Sequence, residues 1–292
     1  MSRIATLAAL IVFCTVLQSM AGWEYSAITR ADGGQNSEAM NSQMTSVVDG
    51  DNARIEFVDS GSPLTPPGSF MVTTDGGKTL YMVDREEKTY ARWDIEGMAG
   101  MAGGAMQMMN MKMSSPRVEK LLEEKGGEMA GFPTTHYRFR TSYTMEMNFL
   151  GVQKAISTMT EEDIWSCAEL NDAGLNAWMS QQAAKTGHEQ LDQLIQAERG
   201  KVKGFPLKRI VSTTTTESGG TPQVMKVTTE VTSIQKASPD KALFELPAGY
   251  KETSMFSSLL GSGAQDAGES GQESGAEENP FMKIMQQMHK GK

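Results

Sequence analysis

Between residues 136 and 148 polar and apolar side chains alternate. His136, Arg138, Arg140, Ser142, Thr144, Glu146 and Asn148 hold one parity; Tyr137, Phe139, Thr141, Tyr143, Met145 and Met147 hold the other, which Phe149 continues. Successive strand side chains point to opposite faces, so the stretch predicts one long β-strand with a wet face and an aromatic, methionine-rich face. At about 3.3 Å per residue it would run for roughly 45 Å, a length that a sheet accommodates by twisting and curving. The concave side of such a sheet would present an apolar surface, with Tyr137, Phe139, Tyr143, Met145, Met147 and Phe149 as the candidate ligand-binding residues. The same face equally suits a solid core beneath helices.

Short strands and tight turns fill most of the remaining chain. Ala53, Ile55 and Phe57 alternate with polar neighbours after the turn Asp49-Gly50-Asp51-Asn52, which suits a hairpin; Asp49 and Asp51 lack the rest of a calcium loop. Residues 70–74, 80–83 and 89–95, separated by Asp75-Gly76-Gly77 and by the charged turn 84–88, predict an antiparallel meander. Residues 207–217 and 223–234 are rich in Thr, Val and Ile around Ser218-Gly219-Gly220, a further hairpin.

Three segments break this pattern. Residues 97–113 carry seven methionines among Gly97, Gly100, Gly103 and Gly104, and those glycines predict a loose, flexible first half. Ser115 as N-cap, Pro116 at the first helical position and Gly126 as terminator predict a short helix over 116–124. A helical insertion is expected over 175–199, in two pieces divided at Gly187, with Leu175, Trp178 and Met179, then Leu191, Leu194 and Ile195, at helical spacing.

The ends suggest an address. Arg3 precedes an uncharged run over 4–16, and Ser19-Met20-Ala21 offers the small residues of a signal-peptidase site, so residues 1–22 read as a leader with the mature chain starting at Gly22 or Trp23. That run is too short to span a bilayer, which takes about 20 residues. A periplasmic or secreted protein is expected. Residues 254–292 turn to Gly, Ser, Ala, Gln and acid, the composition of a disordered acidic tail, and end in Phe281, Ile284, Met285 and Met288, which share a face if helical and could touch a membrane peripherally. The single folded domain is therefore expected over 23–253.

Composition narrows the chemistry. A net charge of −9 without a basic concentration argues against nucleic acid as partner. Cys167 is the only cysteine after the leader, so no internal disulfide is expected; it reads either as a reactive thiol or as a small buried hydrophobe beside Trp165. There is no Gly-x-Ser-x-Gly elbow, no close histidine pair among His136, His188 and His289, and no phosphate loop framed by strand and helix. A non-enzymatic protein without a cofactor is expected. One softer alternative is Cu(I) held by the thioethers of Met106, Met108, Met109, Met111 and Met113, although no His or Cys joins them; another is a partner-binding envelope protein with no cavity ligand, whose mobile segments carry the function.

Several strand-end signatures together resemble a known family. These are Tyr81-Met82-Val83-Asp84-Arg85 with Lys88-Thr89-Tyr90, Gly131-Phe132-Pro133-Thr134-Thr135-His136-Tyr137, Asp163-Ile164-Trp165, Gly204-Phe205-Pro206-Leu207 and Leu243-Phe244-Glu245-Leu246-Pro247-Ala248-Gly249-Tyr250. In this order they resemble a domain-of-unknown-function family of exported bacterial proteins, itself similar to the LolA-like superfamily of periplasmic lipoprotein carriers. The resemblance covers about 23–255. It implies an α+β fold, a curved antiparallel half-barrel with helical insertions over its concave face, and a lipid or lipoprotein as the candidate partner. The methionine-rich insertion and the acidic tail depart from the common pattern.

Overall fold

A computed structural model describes residues 22–34, 37–149, 152–170, 185–198 and 200–254. The segment expected to be a leader, up to Ala21, most of the helical piece expected before Gly187, the tail from residue 255 onward, and the side chain of Phe149 lie outside the described residues.

The elements in chain order are β1 (Gly22–Asp32), β2 (Ser42–Asp49), β3 (Asn52–Ser60), β4 (Phe70–Thr73), β5 (Thr79–Asp84), β6 (Thr89–Asp94), α1 (Ile95–Met108), β7 (Lys112–Met129), β8 (Phe132–Phe149), β9 (Val152–Cys167), α2 (Glu189–Glu198), β10 (Phe205–Glu217), β11 (Gln223–Ala237) and β12 (Lys251–Thr253). All twelve strands belong to one sheet, in the order β12-β6-β5-β4-β3-β2-β1-β11-β10-β9-β8-β7. It is a large, curved, open sheet, not closed into a barrel, and it is antiparallel except where β12 runs parallel to β6. With the two α-helices among the described residues the class is α+β. Pairing of β1 with β11 joins the meander β1–β6 to the long strands β7–β11, and at that seam the Lys236 ammonium lies 3.8 Å above the Trp23 ring.

Turn chemistry fixes the registers. Gly50-Asp51 joins β2 to β3 with Gly50 at φ 58°, and Ala130-Gly131 joins β7 to β8 with both residues at positive φ, the signature of a two-residue hairpin turn. At the middle of the sheet Tyr25, Ala27, Val48, Phe205, Leu207 and Cys167 form one buried cluster. Ile55, Phe57, Met71 and Met82 form a second, and Phe70, Val72, Val83 and Phe244 a third. Cys167 is free and fully buried, as the small-hydrophobe reading requires.

Two local expectations are corrected. Residues 116–124 are not a helix but the middle of the edge strand β7, which pairs with β8 along nearly its whole length. Helix propensity is worth tenths of a kcal/mol per residue, and pairing with an 18-residue neighbour outweighs it. The edge is roughened by Pro116, by bulges at Ser114/Arg117, Lys120/Leu122 and Lys125/Gly127, and by alternating charge, features that discourage edge-to-edge association. The segment expected to be loose, in turn, contains the ordered helix α1. The Asp94 side chain caps it by accepting from the Gly97 amide, and Met106 is buried beneath it. Gly103 lies so close to the Thr186 carbonyl that a Cβ would overlap it, so the glycine serves helix packing rather than mobility.

Candidate functional site

Strand β8 carries the candidate residues on one face, and its neighbours complete that face. Across from it on β9, Tyr137 meets Ile164, Phe139 meets Glu162, Thr141 meets Thr160, Tyr143 meets Thr158 and Met145 meets Ile156; on β7, Val118 opposes Thr141 and Met113 opposes Met145. Directly opposed residues share a face, so Met113, Met145 and Ile156 make an apolar row across three strands. The predicted parity holds for the charged pair tested against it. Tyr137 and Phe139 are 5% and 3% exposed, whereas the side chains of Arg138 and Arg140 are 46% and 41% exposed.

Cover over this face changes along the strand. Tyr137, Phe139 and Ile164 close into a small core with Val202, the two rings stacked with centroids 6.1 Å apart. Thr141, Tyr143, Met145 and Met147 are half-buried. The roof over the buried end is the turn after α2, a helix that packs against β7 and buries only Leu194 of its own.

An ion network pins that roof. The carboxylate of Glu162, with 4% of its side chain exposed, accepts from Arg209 Nε on one oxygen and from Lys201 Nζ on the other. Lys201, itself 9% exposed, also donates to Glu198, and its ammonium lies 4.9 Å above the Phe139 ring. Thr141 Oγ1 donates to the second oxygen of Glu198 at 2.5 Å. Burying such charges costs several kcal/mol per ion unless every lone pair is engaged, and here both oxygens of both carboxylates are. The sequence signalled none of this: Glu162 reads as one of the acids in the run Glu161-Glu162-Asp163, a solvated turn by composition, and only its place opposite Phe139 buries it.

The opposite face holds a second polar group. His136, placed on the wet parity by pattern, is only 8% exposed: its ring stacks on Trp165 at 4.2 Å with 1° between the planes. Nε2 lies 2.6 Å from Asp163 and Nδ1 3.3 Å from Glu124, while Arg138 Nε donates to Asp163 at 2.8 Å. These contacts tie β7 to β9 across β8. Farther along β8 a hollow of about 290 Å³ is lined by Ser142, Tyr143, Thr144, Ser157, Thr158 and Met159 together with residues of β7 and β10. A wider one, about 650 Å³, lies against α2 at Glu189, Asp192, Gln193 and Gln196.

Among the described residues no group of three or more His, Cys, Asp or Glu is placed to hold a metal ion, and no helix is long and apolar enough to cross a membrane. The methionine cluster is divided: Met106 is buried at the end of α1 and Met113 on β7, whereas Met108 is 53% exposed.

The fold is thus an α+β domain on one open, mostly antiparallel sheet, with an apolar stripe along β8 that is buried at Tyr137 and Phe139 and half-buried from Tyr143 to Met147. The chain belongs to the DUF4412 family, a domain of unknown function whose model matches residues 35–250. The comparison with curated proteins gives no match. Among solved structures, two of PNGF-II, in space groups P21 and C2, align over 82% of this chain and 32% of theirs, at 10% and 11% identity and TM-scores of 0.30 and 0.31. The chain thus spans about a third of the length of those proteins.

Proposed function

We propose that this DUF4412 domain is a non-enzymatic, exported carrier or sensor of an apolar ligand, an acyl chain or lipid, held along the half-covered part of the β8 face. The observation that supports this is the gradient of cover on one strand face. Tyr137 and Phe139 are sealed as core, while Tyr143, Met145 and Met147 continue the same stripe half-open. Apolar surface left in this state gains from any apolar partner that removes it from water, at about 25 cal/mol per Å². Methionine suits such a surface because its flexible thioether chain fits irregular partners. A helix and its following turn over one face of an open antiparallel sheet are also what a LolA-like half-barrel would need. Export rests on Arg3, the apolar run after it and the small residues ending at Ala21.

The test is titration of delipidated protein with a fluorescent fatty acid. Wild-type protein that binds no acyl probe removes the reading. Tyr143→Leu, which keeps an apolar side chain but changes its shape, is expected to stay folded with altered affinity; Tyr143→Asp, which places a charge on the stripe, is expected to lose binding. Native mass spectrometry of protein taken from an envelope fraction should show a co-purifying lipid mass.

A further inference from the structure

Two hydrogen-bond donors converge on the Glu198 carboxylate: Lys201 Nζ on one oxygen and Thr141 Oγ1 on the other. They sit where the sealed core of Tyr137 and Phe139 ends and the half-open stripe toward Tyr143 and Met145 begins. The two carboxylates that share Lys201 are not equally held. Glu162 is buried and has Arg209 as a second cation, whereas Glu198 is 32% exposed. Glu198 is therefore the exchangeable partner of Lys201, and it has the form of an intramolecular stand-in for an acidic head group.

We infer that the ligand is an anionic amphiphile whose carboxylate or phosphate displaces Glu198 and accepts from Lys201 Nζ and Thr141 Oγ1, with its tail lying over Tyr143, Met145 and Met147. This rests on the acyl-binding reading above and adds the head-group class. The dimensions agree. From Thr141 to Met147 is six residues of strand, about 20 Å, against roughly 15 Å for one leaflet of a bilayer's hydrocarbon core. Charge bookkeeping agrees as well: Glu162 balances Arg209, so Lys201 is left to be neutralised by Glu198 or by the ligand.

Titration of the delipidated full chain with three probes of equal chain length, a fatty acid, the corresponding alkyl phosphate and the fatty alcohol, tests this. The acid and the phosphate are expected to bind about tenfold more tightly than the alcohol, as one charge-assisted hydrogen bond would give. Lys201→Gln should erase that preference, bringing the acid and the phosphate to the affinity of the alcohol in the same variant. Glu198→Gln, which removes the internal competitor and leaves the buried Glu162 contacts intact, should tighten the acid several-fold relative to the alcohol; it decides the matter if Lys201→Gln fails to fold. Equal binding of acid and alcohol by the wild type, or an acid affinity unmoved in Glu198→Gln, overturns the head-group assignment while acyl binding stands. Binding of none of the three overturns the acyl reading itself. Of the two head groups, whichever shows the larger ratio over the alcohol identifies the source.

Discussion

The His136 imidazole and the Trp165 indole lie parallel, 4.2 Å apart, on neighbouring strands, and the same imidazole reaches Asp163 at 2.6 Å. A residue that the alternation of its strand assigns to solvent is thereby one of the fastenings between β8 and β9. His136→Ala should lower stability by about 2–4 kcal/mol, combining the lost stack with the lost bond to a carboxylate. His136→Phe, which keeps a ring on Trp165, should recover the stacking share only. Denaturant midpoints of the three proteins measure both, and a loss below about 0.5 kcal/mol in the alanine variant would contradict the assignment.

Glu56 supplies a pH dependence with a definite sign. Burial pushes its carboxyl up, but the Arg85 and Arg54 guanidiniums, which also lie over the Phe70 ring, more than reverse this and leave it below its ordinary value of 4.5. A carboxyl lowered in the folded state contributes stability that is fully present above the unfolded value and is lost as pH falls through the folded one. The melting-temperature gap between wild type and Glu56→Gln should therefore be constant near neutrality and close as the pH drops below about 4. A gap that widened on acidification would refute the pairing.

Helix α1 offers a paired test of packing against propensity. Nothing lies within 4 Å of a Cβ built at Gly100, so Gly100→Ala should stabilise by up to about 1 kcal/mol. Gly103→Ala gains the same propensity but meets the Thr186 carbonyl and should destabilise instead. Thermal melts of the two variants should move in opposite directions. Equal upward shifts would mean that α1 does not pack on residue 186.

Cys167 has 0% exposure in the cluster around Tyr25 and Phe205. Native protein should therefore resist a thiol reagent over a period in which protein in denaturant is labelled completely, the rate following the opening free energy of the core. Rapid native labelling would place the thiol at the surface.

Much of this fold is local enough to be legible in one dimension. The period of two over 136–148, the glycine turn between β2 and β3, and the Thr- and Val-rich pair flanking Gly219-Gly220 each carry their own physical signal, because pleat and turn geometry act between near neighbours. The apolar parity of Tyr137, Phe139, Tyr143, Met145 and Met147 is legible for the same reason. What no local pattern contains is who stands opposite. Residues 116–124 favour a helix alone and become an edge strand because β8 offers them backbone partners along its length. Glu162 lies in an acidic run and becomes a buried anchor because its register sets it against Phe139 and beneath Lys201, 39 residues farther along the chain. His136 follows a polar parity and is buried because Trp165 lies across from it. Local pattern determined the strand at 136–148, the hairpin strands at 207–217 and 223–234 and their turns, whose energies are short-range; the edge strand, the burial of His136, the ion network and the roof over β8 came only with the tertiary contacts, because burial and charge pairing depend on residues far apart in the chain.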